Sequence, residues 1–146
     1  MWFIITNRMV YYCGRKKMEP VKNPEGRLLI RTIAMPADTN PRGDIFGGWI
    51  VSQMDLAGLG LAQETADARA TTVSIDRMSF LKPVQVGDFI CCYGQLLKVG
   101  RTSMQVKIEV YAIGHREAER KQVTEGVFTY VAIDEEGCPI AVNNRA

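Results

Sequence analysis

The chain has 146 residues, 47% of them hydrophobic, and its formal net charge is only +2. This length suits one domain with a buried core, so a second domain is not expected. The small charge argues against general binding of nucleic acids, which usually requires a basic stripe and a pI above ~9.

We expect the first 17 residues to lie outside the folded domain. They are rich in apolar side chains, but Asn7 and Arg8 interrupt them. The apolar stretches are shorter than the ~20 residues that span a bilayer, and they lack the charge order of a signal peptide. We therefore predict an N-terminal extension over 1–17, Met18 as the functional start, and a single domain over 18–146.

The first regular elements are a predicted strand over 28–35 and, after a stretch rich in turn formers, a predicted helix over 47–63. Apolar residues occupy nearly every face of this helix, so it should be surrounded by other structure. Gly58 and Gly60 lie inside it, and each costs about 1 kcal/mol relative to alanine. Their presence indicates close packing against a sheet or another subunit.

Four long strands are predicted after the helix, because apolar and polar residues alternate there. They cover residues 71–80, 89–99, 102–113 and 122–133. One strand, one buried helix and four further strands predict an α+β protein, in which an antiparallel five-stranded sheet is wrapped around a long central helix. Such a sheet has two edges that natural proteins cover or pair, so we expect dimerisation through the sheet.

The most informative motif runs from Asn40 to Trp49 and places a carboxylate just before a glycine pair that opens the helix. The first amides of a helix have no partner within it and carry partial positive charge. Gly47 and Gly48 could therefore bring a substrate oxygen close to these amides, because no β-carbon stands in the way. Asp44 could activate water beside them. Its alternative role is that of a turn residue or a helix cap that accepts the first amides.

The cysteines and the single histidine limit the chemistry further. Cys13, Cys91, Cys92 and Cys138 form no CxxC pair, which favours a reduced, cytoplasmic setting. The only histidine is His115, which argues against a multi-histidine metal site. We therefore expect no metal and no cofactor.

Together these motifs resemble the hotdog-fold acyl-CoA thioesterases, most closely the YciA type. The resemblance covers about residues 28–133 and depends on six segments in this order: 35–40, 43–49, 54–55, 80–84, 86–88 and 100–103. It implies a hotdog fold and hydrolysis of acyl-CoA to a free acid and CoA. It also implies a homo-oligomer built from dimers, with active sites between subunits, and suggests a hexamer formed as a trimer of dimers.

The resemblance also implies roles for single residues. It assigns the catalytic carboxylate to Asp44 and the amide that holds the thioester oxygen to Gly48, with Gly47 beside it. Asp44 could act as a base on water or as a nucleophile that forms a mixed anhydride, and both routes stay open. Asn40 would orient the water or the acyl carbonyl across the dimer interface, or would serve only as an Asx-turn residue beside Pro41.

Asp55 is a second carboxylate to consider, because it is a charge within an apolar helix, where burial without a partner is costly. Related hotdog thioesterases of another branch use an acidic residue at the matching helix position in catalysis. We include Asp55 among the substrate-binding candidates. Its alternative role is structural, with a bond to Ser52 or to a neighbouring chain.

The phosphates of CoA require local cations, because the chain as a whole is only weakly basic. The remaining substrate-binding candidates carry a cation or a hydroxyl: Arg77, Lys82, Lys98, Arg101, Thr102 and Ser103. The alternative for the turn around Arg101 is an ordinary hairpin with solvated charge. Phe80 could stack on adenine, or it could belong to the core.

Two alternative functions belong to other classes. A hotdog dehydratase or hydratase typically pairs a histidine with an acidic residue near the helix start, and the sequence has no histidine there. A non-catalytic acyl-CoA sensor should carry a DNA-binding region ahead of the hotdog domain, and we expect residues 1–27 to be too few for one. Chain-length preference depends on side chains from two subunits, so no acyl length is predicted.

Overall fold

The computed structural model describes residues 5–6, 9–10, 22–114 and 119–143. Its elements are β1 (Ile5–Thr6), β2 (Met9–Val10), β3 (Arg27–Ile33), a short 3-10 helix (Pro36–Asp38), α1 (Gly47–Ala66), β4 (Arg69–Phe80), β5 (Phe89–Val99), β6 (Ser103–Ile113) and β7 (Arg120–Ile133). The predicted start at Met18, together with Cys13 and His115, lies outside the described residues.

Five strands form one antiparallel sheet in the order β3-β5-β6-β7-β4. The three central strands are long, and β3 and β4 lie at the two edges. Helix α1 packs against all five strands. The predicted α+β architecture, a five-stranded antiparallel sheet around one helix, is therefore confirmed.

The alternating pattern in the sequence determines which strand residues reach the helix. On β6, Val106, Ile108 and Val110 are fully buried in the core that also contains Ile50 and Met54 of α1. Burial of such a side chain contributes roughly 1.5–3 kcal/mol relative to leaving it exposed. This core fixes the helix against the sheet and thereby fixes the position of the helix N-terminus.

The helix extends beyond its predicted end at residue 63. It continues to Ala66 and stops where Asp67 adopts a left-handed conformation with φ of 51°. Ala62 and Ala66 are both fully buried. These two small apolar side chains allow the end of the helix to stay close to the sheet. No glycine or proline occurs in residues 63–66 to end the helix earlier.

The two helix glycines have different surroundings. A β-carbon at Gly58 would lie 2.2 Å from the hydroxyl oxygen of Tyr130 on β7. The predicted close packing against the sheet is therefore confirmed at Gly58. A β-carbon at Gly60 would meet no atom of the described residues within 4 Å apart from its chain neighbours and the backbone of the helix itself. Packing of another subunit against Gly60 stays a prediction.

The segment before β3 crosses the sheet face that points away from the helix. Glu109 alternates with core residues on β6, yet only 1% of it is exposed. Its carboxylate accepts the backbone amide of Glu25 at 2.7 Å and pairs with Lys22 at 3.1 Å. Residues from 22 onward therefore pack onto the domain, and the boundary predicted between 17 and 18 stays a prediction.

Candidate active site

Asp44 lies at the end of a tight turn that Asn40 organises. The Oδ1 atom of Asn40 accepts the backbone amides of Arg42 at 2.9 Å and Asp44 at 3.3 Å. The backbone amide of Asn40 donates to the carbonyl of Asp44 at 2.7 Å. The Asx-turn role of Asn40 is therefore confirmed. Its Nδ2 has no acceptor among the described residues, and the predicted role in orienting water or substrate stays a prediction.

The start of α1 leaves two backbone amides without a partner. Phe46 precedes the helix, and no side chain caps it. The amide of Trp49 donates to the carbonyl of Phe46 at 3.1 Å, whereas no oxygen of the described residues accepts from Gly47 or Gly48. The helix-cap alternative for Asp44 is therefore wrong, whereas its placement in a turn is confirmed. Two donors at the positive end of the helix dipole are available for a substrate oxygen.

Two exposed aromatic rings flank the glycine pair. A β-carbon at Gly47 would lie 3.4 Å from the ring of Phe80, and one at Gly48 would lie 3.0 Å from the ring of Phe46. Phe80 is 57% exposed and Phe46 is 55% exposed. The core alternative for Phe80 is therefore wrong within this chain, while stacking on adenine stays a prediction. The rings provide apolar surface beside the free amides.

Gln85 is a contact of Asp44 that the sequence did not reveal. Its Nε2 donates to Oδ1 of Asp44 at 2.7 Å. The backbones also meet, because the amide of Ile45 donates to the carbonyl of Val84 at 3.0 Å. In the sequence, Gln85 is only a polar residue in a predicted turn before β5. Nothing local indicates that this turn lies against residues 44–46.

Asp55 lies on α1 about two turns, or about 10 Å, beyond the glycine pair. Its Oδ1 accepts the hydroxyl of Thr72 at 2.7 Å and that of Tyr130 at 3.1 Å. Burial and the neighbouring Asp55 carboxylate raise the pKa of Tyr130, so this hydroxyl stays protonated and donates. The predicted bond to Ser52 is wrong, because Ser52 donates to the carbonyl of Trp49 at 2.6 Å.

These contacts predict a structural effect for Asp55→Asn. The amide retains an oxygen that can accept both hydroxyls, but it loses the charge that strengthens these bonds. We expect a loss of about 1–2 kcal/mol in the free energy of unfolding, with kcat within about threefold of wild type. Thermal unfolding and acyl-CoA hydrolysis rates measure the two effects. Tyr130→Phe is the matched variant that removes one donor. A large fall in the kcat of Asp55→Asn at unchanged stability would instead make Asp55 catalytic.

The turn 101–103 between β5 and β6 lies far from Asp44 within one chain. On β7, Thr124 pairs with Phe80 beside the glycine pair, whereas Val131 pairs with the last residue of this turn. Seven residues of strand between Thr124 and Val131 correspond to about 23 Å. The structure therefore separates this group of substrate-binding candidates from Asp44, Gly47 and Gly48.

The other predicted cations are also divided. Lys82 follows Phe80 at the Asp44 end of the sheet, and its side chain has no ion-pair partner among the described residues. Arg77 lies in a β4 bulge with φ of 52° and lines a shallow cavity together with Lys107. Lys98 lies at the opposite end, near the end of β5. Within one chain, Lys98 is therefore separated from the catalytic candidates, whereas Lys82 lies at their end of the sheet.

The two buried cysteines, Cys91 and Cys92, are not placed as nucleophiles. Cys91, Cys92 and Cys138 are free, and burial raises the pKa of Cys92 to about 12. No group of three or more metal-ligating side chains occurs in the described part of the chain. No described helix is long and apolar enough to cross a membrane.

A helix packed against an antiparallel sheet, with free amides at its N-terminus and a carboxylate three residues earlier in the chain, is an arrangement suited to stabilise negative charge on a carbonyl oxygen. The chain belongs to the thioesterase superfamily, whose family model matches residues 42–119. This span includes Asp44, the glycine pair and Gln85.

Comparison with individual proteins gives the same family. The chain is 49% identical over 122 residues to the acyl-CoA thioester hydrolase YciA of Escherichia coli K12, covering 82% of this chain and 92% of that protein. The hexameric thioesterase of Yersinia pestis matches with a TM-score of 0.80 at 50% identity, over 84% of this chain and 99% of that one. The hexameric hotdog fold thioesterase of Campylobacter jejuni matches with a TM-score of 0.76 at 40% identity, over 81% and 91%. The predicted hotdog fold and acyl-CoA thioesterase family are confirmed.

Proposed function

We propose that this protein hydrolyses the thioester of acyl-CoA and releases a free carboxylic acid and CoA. The observation that carries the proposal is the pair of free amides of Gly47 and Gly48 at the start of α1, with the carboxylate of Asp44 three residues earlier in the chain. The exposed rings of Phe46 and Phe80 supply apolar surface for an acyl group at the same point. The activity named for the relatives supports this proposal.

The proposed reaction adds water across the carbon–sulfur bond. The thioester oxygen binds at the helix N-terminus, with Gly48 as the principal donor, and the negative charge that develops on this oxygen is stabilised there. In one route, Asp44 takes a proton from water while the water attacks the carbonyl carbon. In the other route, the Asp44 carboxylate attacks the carbonyl carbon and forms a mixed anhydride, which water then hydrolyses. The thiolate of CoA leaves and takes up a proton. No cofactor is needed, because CoA enters as part of the substrate.

Thiol release from a panel of acyl-CoA substrates tests this function. The wild-type protein is incubated with short, medium and long acyl chains, and free CoA is measured with a thiol reagent. Turnover of at least one chain length is expected. Saturable binding of acyl-CoA without release of thiol would contradict hydrolysis and would favour the non-catalytic acyl-CoA-binding alternative.

The edge strand β4 supports a proposed dimer. Within the described chain, β4 pairs only with β7, and its Val73 and Ile75 are 55% and 42% exposed. An unpaired edge with exposed apolar side chains is a natural site for strand pairing. We propose that two copies pair through β4 and that these dimers assemble into a hexamer, as in the hexameric relatives. A cytoplasmic location completes the proposal, in agreement with the free described cysteines.

Antiparallel pairing through β4 would also complete the site. The beginning of β4 lies at the sheet end that carries the turn 101–103, and its end lies beside the glycine pair. In an antiparallel β4–β4 pair, the beginning of one strand lies opposite the end of the other. The turn 101–103 of one copy would thus approach Asp44 of the other, which accounts for their separation within one chain.

Mixed dimers test whether the site is shared. We expect Asp44→Ala and Arg101→Ala each to lower hydrolysis at low acyl-CoA concentration. When the two variants are co-expressed, half of the dimers are mixed and one of their two sites is intact, so roughly a quarter of the wild-type sites should be recovered. Recovery of no activity above that of the separate variants would contradict the shared site. Two different affinity tags allow the mixed species to be isolated and assayed.

A further inference from the structure

We infer that Gln85 is a positioning residue for Asp44, one that fixes which oxygen of the carboxylate faces the reaction. The inference rests on the proposed hydrolase function and identifies a further residue on which that site depends. Gln85 Nε2 donates to Oδ1 of Asp44 at 2.7 Å. Oδ2 of Asp44 accepts no hydrogen bond from the described residues, so it is the oxygen available for water or for the thioester carbon.

Gln85 is held in place by its own turn. The amide of Asp88 donates to the carbonyl of Gln85 at 3.1 Å, and Gly87 between them has φ of 90°, the conformation that a type II turn requires at its third position. The carboxylate of Asp88 is only 6% exposed and accepts the backbone amide of Gln85 at 3.0 Å. Both polar groups of the Gln85 backbone, the amide and the carbonyl, are therefore hydrogen-bonded to Asp88.

The turn is also attached to the neighbouring chain segments. On one side the carbonyl of Val84 accepts the amide of Ile45, which follows Asp44 directly, at 3.0 Å. On the other side the amide of Gly87 donates to the carbonyl of Ala34 at 2.8 Å. Gln85 thus extends from a backbone that is bonded next to Asp44, and this fixed backbone keeps its exposed side-chain amide within reach of the carboxylate.

The chemistry of the contact specifies its direction. An ionised carboxylate only accepts hydrogen bonds, so the amide group of Gln85 must present Nε2. Such a bond is charge-assisted and favours one carboxylate rotamer over the others. The contact keeps Asp44 oriented for attack or proton transfer, while Gln85 itself touches no reacting atom in the proposed mechanism.

Gln85→Leu tests this role, because leucine is of comparable size but has no hydrogen-bond donor. We expect kcat to fall about 10- to 100-fold while KM stays within about threefold, since orientation of Asp44 affects the transition state more than binding. The matched control is Gln95→Leu on β5, an exposed glutamine outside the site, which should retain wild-type kcat. Circular dichroism and thermal unfolding of all three proteins are compared first.

Gln85→Glu provides a second test, the pH of maximum rate, which would not change if Gln85 were only structural. This side chain has the same length, but its carboxylate repels that of Asp44 unless the pair shares one proton. A shared proton restores a donor facing Asp44. We therefore expect the pH of maximum rate to move to lower pH than in wild type, with rates near neutral pH reduced about 10-fold or more.

The results separate this inference from the proposed function. If Gln85→Leu keeps kcat within twofold of wild type, or raises only KM, or if Gln85→Glu leaves the pH of maximum rate unchanged, the positioning role is overturned. The proposed function is tested separately by the wild type and Asp44→Ala on the same substrates. An active wild type with an inactive Asp44→Ala variant keeps the hydrolase function whatever Gln85 does.

Discussion

Replacement of Asp44 by alanine should reduce kcat for acyl-CoA hydrolysis by about 10²- to 10⁴-fold, the contribution expected of a positioned general acid or base. The reason is that Asp44 is the carboxylate three residues before the free amides of Gly47 and Gly48, and its Oδ2 accepts no hydrogen bond from the described residues. KM should change little, because the variant keeps the amides and the flanking rings. Thiol release under saturating acyl-CoA measures the effect.

A matched control distinguishes loss of chemistry from loss of charge. Glu136→Ala removes an exposed carboxylate in the turn after β7, and it should retain wild-type kcat. Product CoA should inhibit Asp44→Ala protein with wild-type affinity, because the variant keeps the cations proposed to bind the CoA phosphates. Unchanged turnover in Asp44→Ala protein would contradict the proposed mechanism and would direct attention to Asp55 as the reacting carboxylate.

Gly58→Ala should lower the free energy of unfolding by about 2–4 kcal/mol. The new β-carbon would lie 2.2 Å from the Tyr130 hydroxyl and 2.9 Å from the ring carbon that bears it. Overpacking of a core costs about 1–3 kcal/mol, and displacement of Tyr130 also weakens its charged hydrogen bond to Asp55. The gain in helix propensity returns only about 1 kcal/mol. Urea unfolding at a fixed protein concentration measures the change.

A double variant identifies the cause of the predicted loss. Tyr130→Phe removes the oxygen nearest the new β-carbon, so Gly58→Ala should cost less in a Tyr130→Phe background than in wild type. Equal costs in both backgrounds would exclude contact with the hydroxyl as the reason. Stabilisation by Gly58→Ala alone would mean that the helix does not need a glycine to approach β7.

Local physics explains why much of the fold could be predicted from the sequence. The alternation of Val106, Ile108 and Val110 with polar residues specifies a strand with one buried face, and the core confirms it. The helix after the glycine pair is predicted from apolar residues on nearly every face. Its predicted end at residue 63 is three residues short of the observed end at Ala66. That the first amides of α1 lack partners within the helix also follows from chain order, whereas only the structure shows that no side chain caps Gly47 and Gly48.

The contacts that specify the site depend on which distant segments the fold brings together. Asp44 and Gln85 are 41 residues apart, and their contact exists because the turn before β5 lies against the turn before α1. Asp55 bonds Thr72 and Tyr130 because β4 and β7 are neighbours in the sheet. Phe80 was ambiguous in the sequence, and only the structure shows that its ring is exposed beside Gly47.

The sequence by itself determined the strand and helix pattern, the carboxylate and the glycine pair, because each of these depends on residues close together in the chain. The tertiary structure decided the partners of both carboxylates and the separation of the turn 101–103 from Asp44. Those features depend on strand order and register, which bring together side chains from segments that have no local signal of their proximity.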